Sequence, residues 1–226
     1  MKIQTIDSLS LTPYWHGVLP SRASAVQGQR DGACGIYALL NALVLGGHIE
    51  AKKLEKAWDT APDRRTQLGR WQRDCGPLLL HGTRDDDLSK LLAALRPHLR
   101  AKKTLRLKPI IEPRKFKEQR GQVVNKATLH SIAKCLRDNK PLLVELQGPD
   151  IAHWVVAVGI QEHKRDEQYE LAQILTIDSS EPVSRLHAWN GALGLGYQGE
   201  MRLRYVTTSD DEAVICGVDG AWVIEG

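Results

Sequence analysis

The sequence carries no pair of closely spaced cysteines. Its four, Cys34, Cys75, Cys135 and Cys216, are scattered, with no CxxC and no Cys/His spacing of the structural-zinc kind. No metal and no other cofactor is therefore expected. In a chain of 226 residues a disulfide framework is not implied either, so the thiols are expected to stay reduced. The N-terminal stretch MKIQTIDSLSLTPYWHG lacks the basic and apolar parts of a signal peptide. No stretch approaches the ~18 consecutive apolar residues that a membrane span requires, and no internal repeat or low-complexity region is visible. These absences predict a soluble cytoplasmic protein with no membrane span, and they leave delivery as a secreted effector open.

What is present suits a single buried core. Hydrophobic residues make up 42% and charged residues 26% of the chain, which excludes disorder and fibrous classes. The formal net charge is +4, and much of it comes from LRAKKTLRLKPIIEPRKFKEQRGQ at 99–122. That run holds one aromatic, Phe116, and matches no nucleic-acid module. It reads as a solvated, partly irregular insertion, and nucleic acid is not an expected partner.

Residues 1–26 read as irregular. From Cys34, CGIYALLNALVLGG places Ile36, Leu39, Leu40, Leu43 and Val44 at helical spacing, with Gly46 and Gly47 as the stop. HIEAKKLEKAWDTA predicts a second amphipathic helix. DDDLSKLLAALR predicts a third, with acids where the helix dipole favours them. TLHSIAKCLRDNK predicts a fourth, with Leu129, Ile132 and Leu136 on one face. The period then changes. PLLVELQG, HWVVAVGI and YELAQILTID read as consecutive strands, with the polar QEHKRDEQ as the loop between the second and third. MRLRYVTT and AVICGVDGAWVIEG offer two more. Helices first and an antiparallel sheet second make an α+β plan. One domain over 1–226 is expected, with a helical and basic insertion at about 46–127.

Cys34 is the candidate nucleophile. It follows Asp31-Gly32-Ala33 and opens a helix, where free N–H groups favour a thiolate and can hold the oxyanion of a tetrahedral intermediate. Cys75, in WQRDCGPLLL, is the rival, but no clear helix starts there. Cys135 and Cys216 sit inside helix and strand patterns and read as core. Gln27 and Gln29, just upstream of Cys34, are candidates for a side-chain donor to the oxyanion hole.

A thiol nucleophile needs a base, and imidazole serves best at neutral pH. Of eight histidines, His153 opens an apolar strand, so it can face a cleft while the strand anchors it. The other seven lie in polar, helical or irregular contexts. The base needs an acceptor to fix its tautomer. Asp178 closes the strand after that of His153, and an antiparallel return brings the two ends together. Asn190, in HAWNG, is the alternative orienter.

DGACGIYALLNAL, PLLVELQG with HWVVAVGI, and ILTIDSSEP together resemble the papain-like cysteine peptidase superfamily. The likeness is greatest to the bacterial leader-processing peptidases of bacteriocin exporters and their stand-alone relatives. It implies a papain-like fold with the nucleophile at a helix start, a Cys34–His153–Asp178 triad and an upstream oxyanion glutamine. The superfamily places that glutamine six residues before the cysteine, where this chain has Gly28. Asp31-Gly32-Ala33-Cys34 and His153-Trp154 are also similar to ovarian-tumour-type deubiquitinases, which need no glutamine. The expected activity is hydrolysis of a peptide or isopeptide bond in a protein or peptide substrate, through a thioester. A transglutaminase, acyltransferase or glutamine deamidase would use the same site, and a non-catalytic binding module would not use it.

Overall fold

The computed structural model describes residues 1–10, 32–50, 53–54, 65, 67–74, 82–100, 104–112, 126–181, 189–195, 203–207 and 212–226. In chain order the elements are β1 (Lys2–Thr5), α1 (Asp7–Ser10), α2 (Cys34–Leu45), α3 (Gln67–Asp74) and α4 (Asp85–Leu95), which runs on into a 3-10 turn (Arg96–His98). Next come β2 (Arg106–Ile111), α5 (Lys126–Arg137), β3 (Leu142–Gln147), β4 (Ala152–Arg165), β5 (Gln168–Ile177), β6 (Gly191–Leu195), β7 (Leu203–Thr207) and β8 (Val214–Glu225).

Six strands close on themselves in the order β4-β3-β8-β7-β6-β5, and the β5–β4 pairing seals the ring. Every pairing is antiparallel. The two remaining strands dock on this barrel, β1 against β4 and β2 against β8. Closure depends on long strands that bend. β4 pairs with β3 through Ala152–Ala157 and with β5 from Val156 to Arg165, across two register shifts. Such shifts let a strand turn a barrel corner.

This architecture corrects the α+β, papain-like expectation of N-terminal helices followed by an antiparallel sheet. The protein is a six-stranded antiparallel barrel with two added strands and few helices. Two observations overturn the earlier plan. First, strands also precede and interrupt the helices. β1 lies in the leader read as irregular, and β2 lies in the basic stretch. Second, QEHKRDEQ is no loop. β4 and β5 run through it to a two-residue turn at Asp166 and Glu167, with Arg165 facing Gln168. Both turn residues have positive φ (44° and 70°), as a tight hairpin that matches strand twist demands. Polar side chains there mark an exposed hairpin arm, because alternation with solvent on both faces leaves no apolar trace.

The core lies inside the barrel and beneath the helices. Trp154 to Ile160 of β4 are buried without a break, since one face fills the barrel and the other lies under α2 and α5. α2 is correspondingly apolar nearly all round, with Ile36, Leu39, Leu40 and Leu43 at or below 2% exposure. It stops at Gly46 and Gly47 as the sequence predicts, with the N–H groups of Gly47 and His48 bonded to the carbonyls of Val44 and Leu43. α5 stops the same way at Asn139, whose side chain exchanges hydrogen bonds with Asp7 (2.7 and 3.0 Å) and so ties α1 to the end of α5. Of the stretch predicted as a second amphipathic helix the structure describes His48, Ile49 and Glu50, which are not helical, and Lys53 and Leu54, which are. No helix among the described residues is long and apolar enough to cross a membrane.

Glu145 sits where β3 and β8 slip by one residue, opposite Trp154 and Gly220, with Asp219 as the extra residue of β8. Burial, helped by the charges of Asp219 and Asp85, pushes its carboxyl up to about 7. The folded state then keeps a proton that the unfolded chain releases, so stability falls as pH rises from 4.5 to about 7. Glu145→Gln is expected to raise Tm at pH 8 and leave it nearly unchanged at pH 4.5. Thermal melts at the two pH values check this, and equal shifts at both would contradict the buried-carboxyl account.

Candidate active site

Cys34 is the first residue of α2. Ala33 before it makes no side-chain cap to the helix, and a helix start presents its first-turn N–H groups to an anion. The turn is held from outside. Thr83 Oγ1 donates to the Gly32 carbonyl at 2.8 Å, and Trp154 Nε1 donates to the Thr83 carbonyl at 2.9 Å. Because Trp154 adjoins His153 on β4, this clamp fixes the nucleophile turn against the strand that carries the base. Gly35 is what lets them meet. A Cβ there would lie 2.9 Å from Thr83 Cβ and 3.1 Å from Trp154 Cδ1. The Trp154 ring in turn rests on Trp222, centroids 5.0 Å apart.

His153 is the second residue of β4 and faces Leu146 of β3. β5 returns antiparallel with Ile177 opposite Val156, so Asp178 emerges beside the start of β4. His153 Nε2 lies 2.8 Å from Asp178 Oδ1, with the side chains 14% and 1% exposed. Cys34 lies close enough to the same imidazole to help raise its pKa. With Nε2 on the carboxylate, Nδ1 is the ring nitrogen left for the thiol. The three predicted residues, from a helix start, a strand start and a strand end, therefore converge.

Their electrostatics follow from burial and pairing. Burial opposes the charged imidazole, but hydrogen bonds and charge from Asp178 and Cys34 outweigh it and raise His153 to about 10. Burial likewise opposes ionised Asp178, yet His153, Ser180 and Tyr205 hold its carboxyl below the usual range. The other described thiols have no such partner set. Burial pushes Cys216 up to about 12 and raises Cys135.

No family model matches the chain, and no curated protein matches its sequence. The residues alone carry the functional argument.

Asn190, the alternative orienter, takes a different place. Its amide accepts from the Asp178 N–H at 2.7 Å and donates to the Asp178 carbonyl at 2.8 Å. It grips the backbone of the aspartate, and its hydrogen bonds among the described residues go to backbone groups and not to the imidazole. Gln27, Gln29 and the rival Cys75 lie outside the described residues. The sequence reading missed Thr83, Ser180 and Tyr205. Ser180 had a usable signal, since Asp-Ser-Ser is turn-forming, and its N–H and Oγ reach Asp178 Oδ1 at 2.8 and 2.6 Å. Thr83 had none, being a loop residue whose partners are 51 and 71 positions away. Among the described residues no group of three or more His, Cys, Asp or Glu could hold a metal ion.

Gly35→Ala tests the clamp. Alanine favours helix by about 1 kcal/mol, but the added methyl must displace Thr83 or the helix start, at a cost of about 1–3 kcal/mol. A lower Tm by differential scanning calorimetry is expected. A raised Tm would show that the turn is not held at this distance.

Proposed function

We propose that the chain is a cysteine-nucleophile hydrolase that cleaves a peptide or isopeptide bond through a thioester on Cys34. The observation that carries this reading is the imidazole of His153, hydrogen-bonded to buried Asp178 and close enough to Cys34 to be shifted by it. A histidine raised to about 10 is an imidazolium at neutral pH, a cation placed beside the sulfur of the nucleophile. The pair is ready to attack before substrate arrives.

Cys34 thiolate adds to the scissile carbonyl, and the developing oxyanion lies within reach of the first-turn N–H groups of α2. The tetrahedral intermediate collapses as the His153 imidazolium gives its proton to the leaving amine. That leaves an acyl-Cys34 thioester and a neutral imidazole. His153 then takes a proton from water, whose oxygen attacks the thioester, and the acid product departs with the thiol proton restored to the pair. Asp178 holds the ring tautomer throughout.

The likeness of the Cys34, His153 and Asp178 segments to papain-like cysteine peptidases supports the same chemistry, residue by residue and without the fold. A reduced Cys34 is required, which suits a reducing compartment such as the cytoplasm. Incubation with a peptide library and mass spectrometry of the products tests the reading. Hydrolysed products are expected from the wild type, none from Cys34→Ala, and at least ~100-fold slower formation from Asp178→Asn. Products carrying an added amine, or glutamate in place of glutamine, would replace hydrolysis by acyl transfer or deamidation. Equal activity in Cys34→Ala would remove the nucleophile assignment.

A further inference from the structure

Asp178 has two carboxylate oxygens with different tasks. Oδ1 takes His153 and both donors of Ser180. Oδ2 takes the hydroxyl of Tyr205, at 2.7 Å. Tyr205 stands on β7, 2% exposed, and its hydroxyl accepts in turn from Thr176 Oγ1 of β5 at 3.5 Å. Strand β6 closes over this pair. A Cβ on Gly191 would lie 2.4 Å from the Tyr205 oxygen and 2.5 Å from Thr176 Oγ1, so water has no room to replace the hydroxyl. Phenylalanine would fill the same core volume, and the hydroxyl is therefore not explained by packing.

We infer that Tyr205 is a positioning residue of the proposed reaction, its hydroxyl fixing the Asp178 carboxylate so that Oδ1 stays aimed at His153. The inference rests on the hydrolase reading above and extends it from three residues to a relay, Thr176 to Tyr205 to Asp178 to His153. Burial, together with the Asp178 and Glu181 charges, raises the Tyr205 phenol well above its ordinary value. It remains a donor throughout the working pH range. Without that donor, Oδ2 would be a buried, charged oxygen lacking a partner, a costly state. The carboxylate relieves it by binding a proton or by rotating, and both withdraw charge from the imidazolium.

The groups facing Asp178 are His153 from β4, Tyr205 from β7, and Ser180 and Asn190 from the connection after β5. Among these only His153 and Tyr205 titrate. A weakened aspartate holds the imidazolium less firmly, so the ring gives up its proton at a lower pH.

The test is an NMR titration of the His153 ring, with Tm and iodoacetamide labelling of Cys34 at pH 6 recorded in parallel. In Tyr205→Phe the inflection of the ring is expected to fall by about one unit from the wild-type value of about 10, a tenfold weaker hold on the proton. A residue that serves only packing would lower Tm and leave the inflection in place. An unmoved inflection in folded Tyr205→Phe, with a wild type reactive at pH 6, overturns the inference alone. A wild-type Cys34 no more reactive at pH 6 than glutathione overturns the hydrolase reading and this inference with it. If Tyr205→Phe does not fold, Thr176→Val removes the hydroxyl behind the phenol. A lowered inflection there supports the relay, and an unchanged one overturns it.

Discussion

The hydrogen bond between His153 and Asp178 is the contact on which the rest of the site depends. It joins a strand start to a strand end, and both side chains are nearly inaccessible to water. A buried carboxylate without partners would cost several kcal/mol. Here the charge is met on every side, by the imidazole, by Ser180 and by Tyr205, while Asn190 holds its backbone. The donors come from β4, from β7 and from the turn after β5, which the consecutive pairings β4–β5, β5–β6 and β6–β7 bring around one carboxylate. The pairing also has a stability signature. Because the folded pKa of His153 lies above its ordinary 6.5, the stabilisation is complete below pH 6.5 and is lost as pH rises through about 10.

The nucleophile is placed by different means. α2 is a buried apolar helix that could pack in several ways on β4, and its start is located by a chain of short contacts from Gly32 to Thr83 to Trp154. Gly35 makes that chain compact enough to bring Cys34 to His153. The clamp and the carboxylate cage meet only through neighbouring residues of β4. A change in one is felt by the other through two adjacent positions, His153 and Trp154.

Much of this was legible in the residues. Cys34 announces itself by glycines and a helix start, His153 by opening an apolar strand, and Asp178 by ending the next one, because antiparallel return is a local rule. The closed barrel was not legible. Its ring depends on pairings between strands far apart in the chain, such as Leu142 with Val223, and no local pattern encodes them. β6, with the sequence GALGL, has too few side chains to look like a strand, and β2 is hidden by its lysine, arginine and proline. Tyr205 reads as one more apolar strand residue until its hydroxyl is seen against Asp178. Asn190 looked like a second orienter because sequence cannot distinguish an amide that grips a backbone from one that grips a ring.

The central claim is that Cys34, Asp178 and His153 form one charged, coupled unit. The most direct measurement is an NMR titration of the His153 ring, in the wild type and in Asp178→Asn. The ring should stay protonated to about pH 10 in the wild type and lose its proton at clearly lower pH in the variant. A wild-type midpoint near the ordinary 6.5, unmoved by Asp178→Asn, would contradict the account.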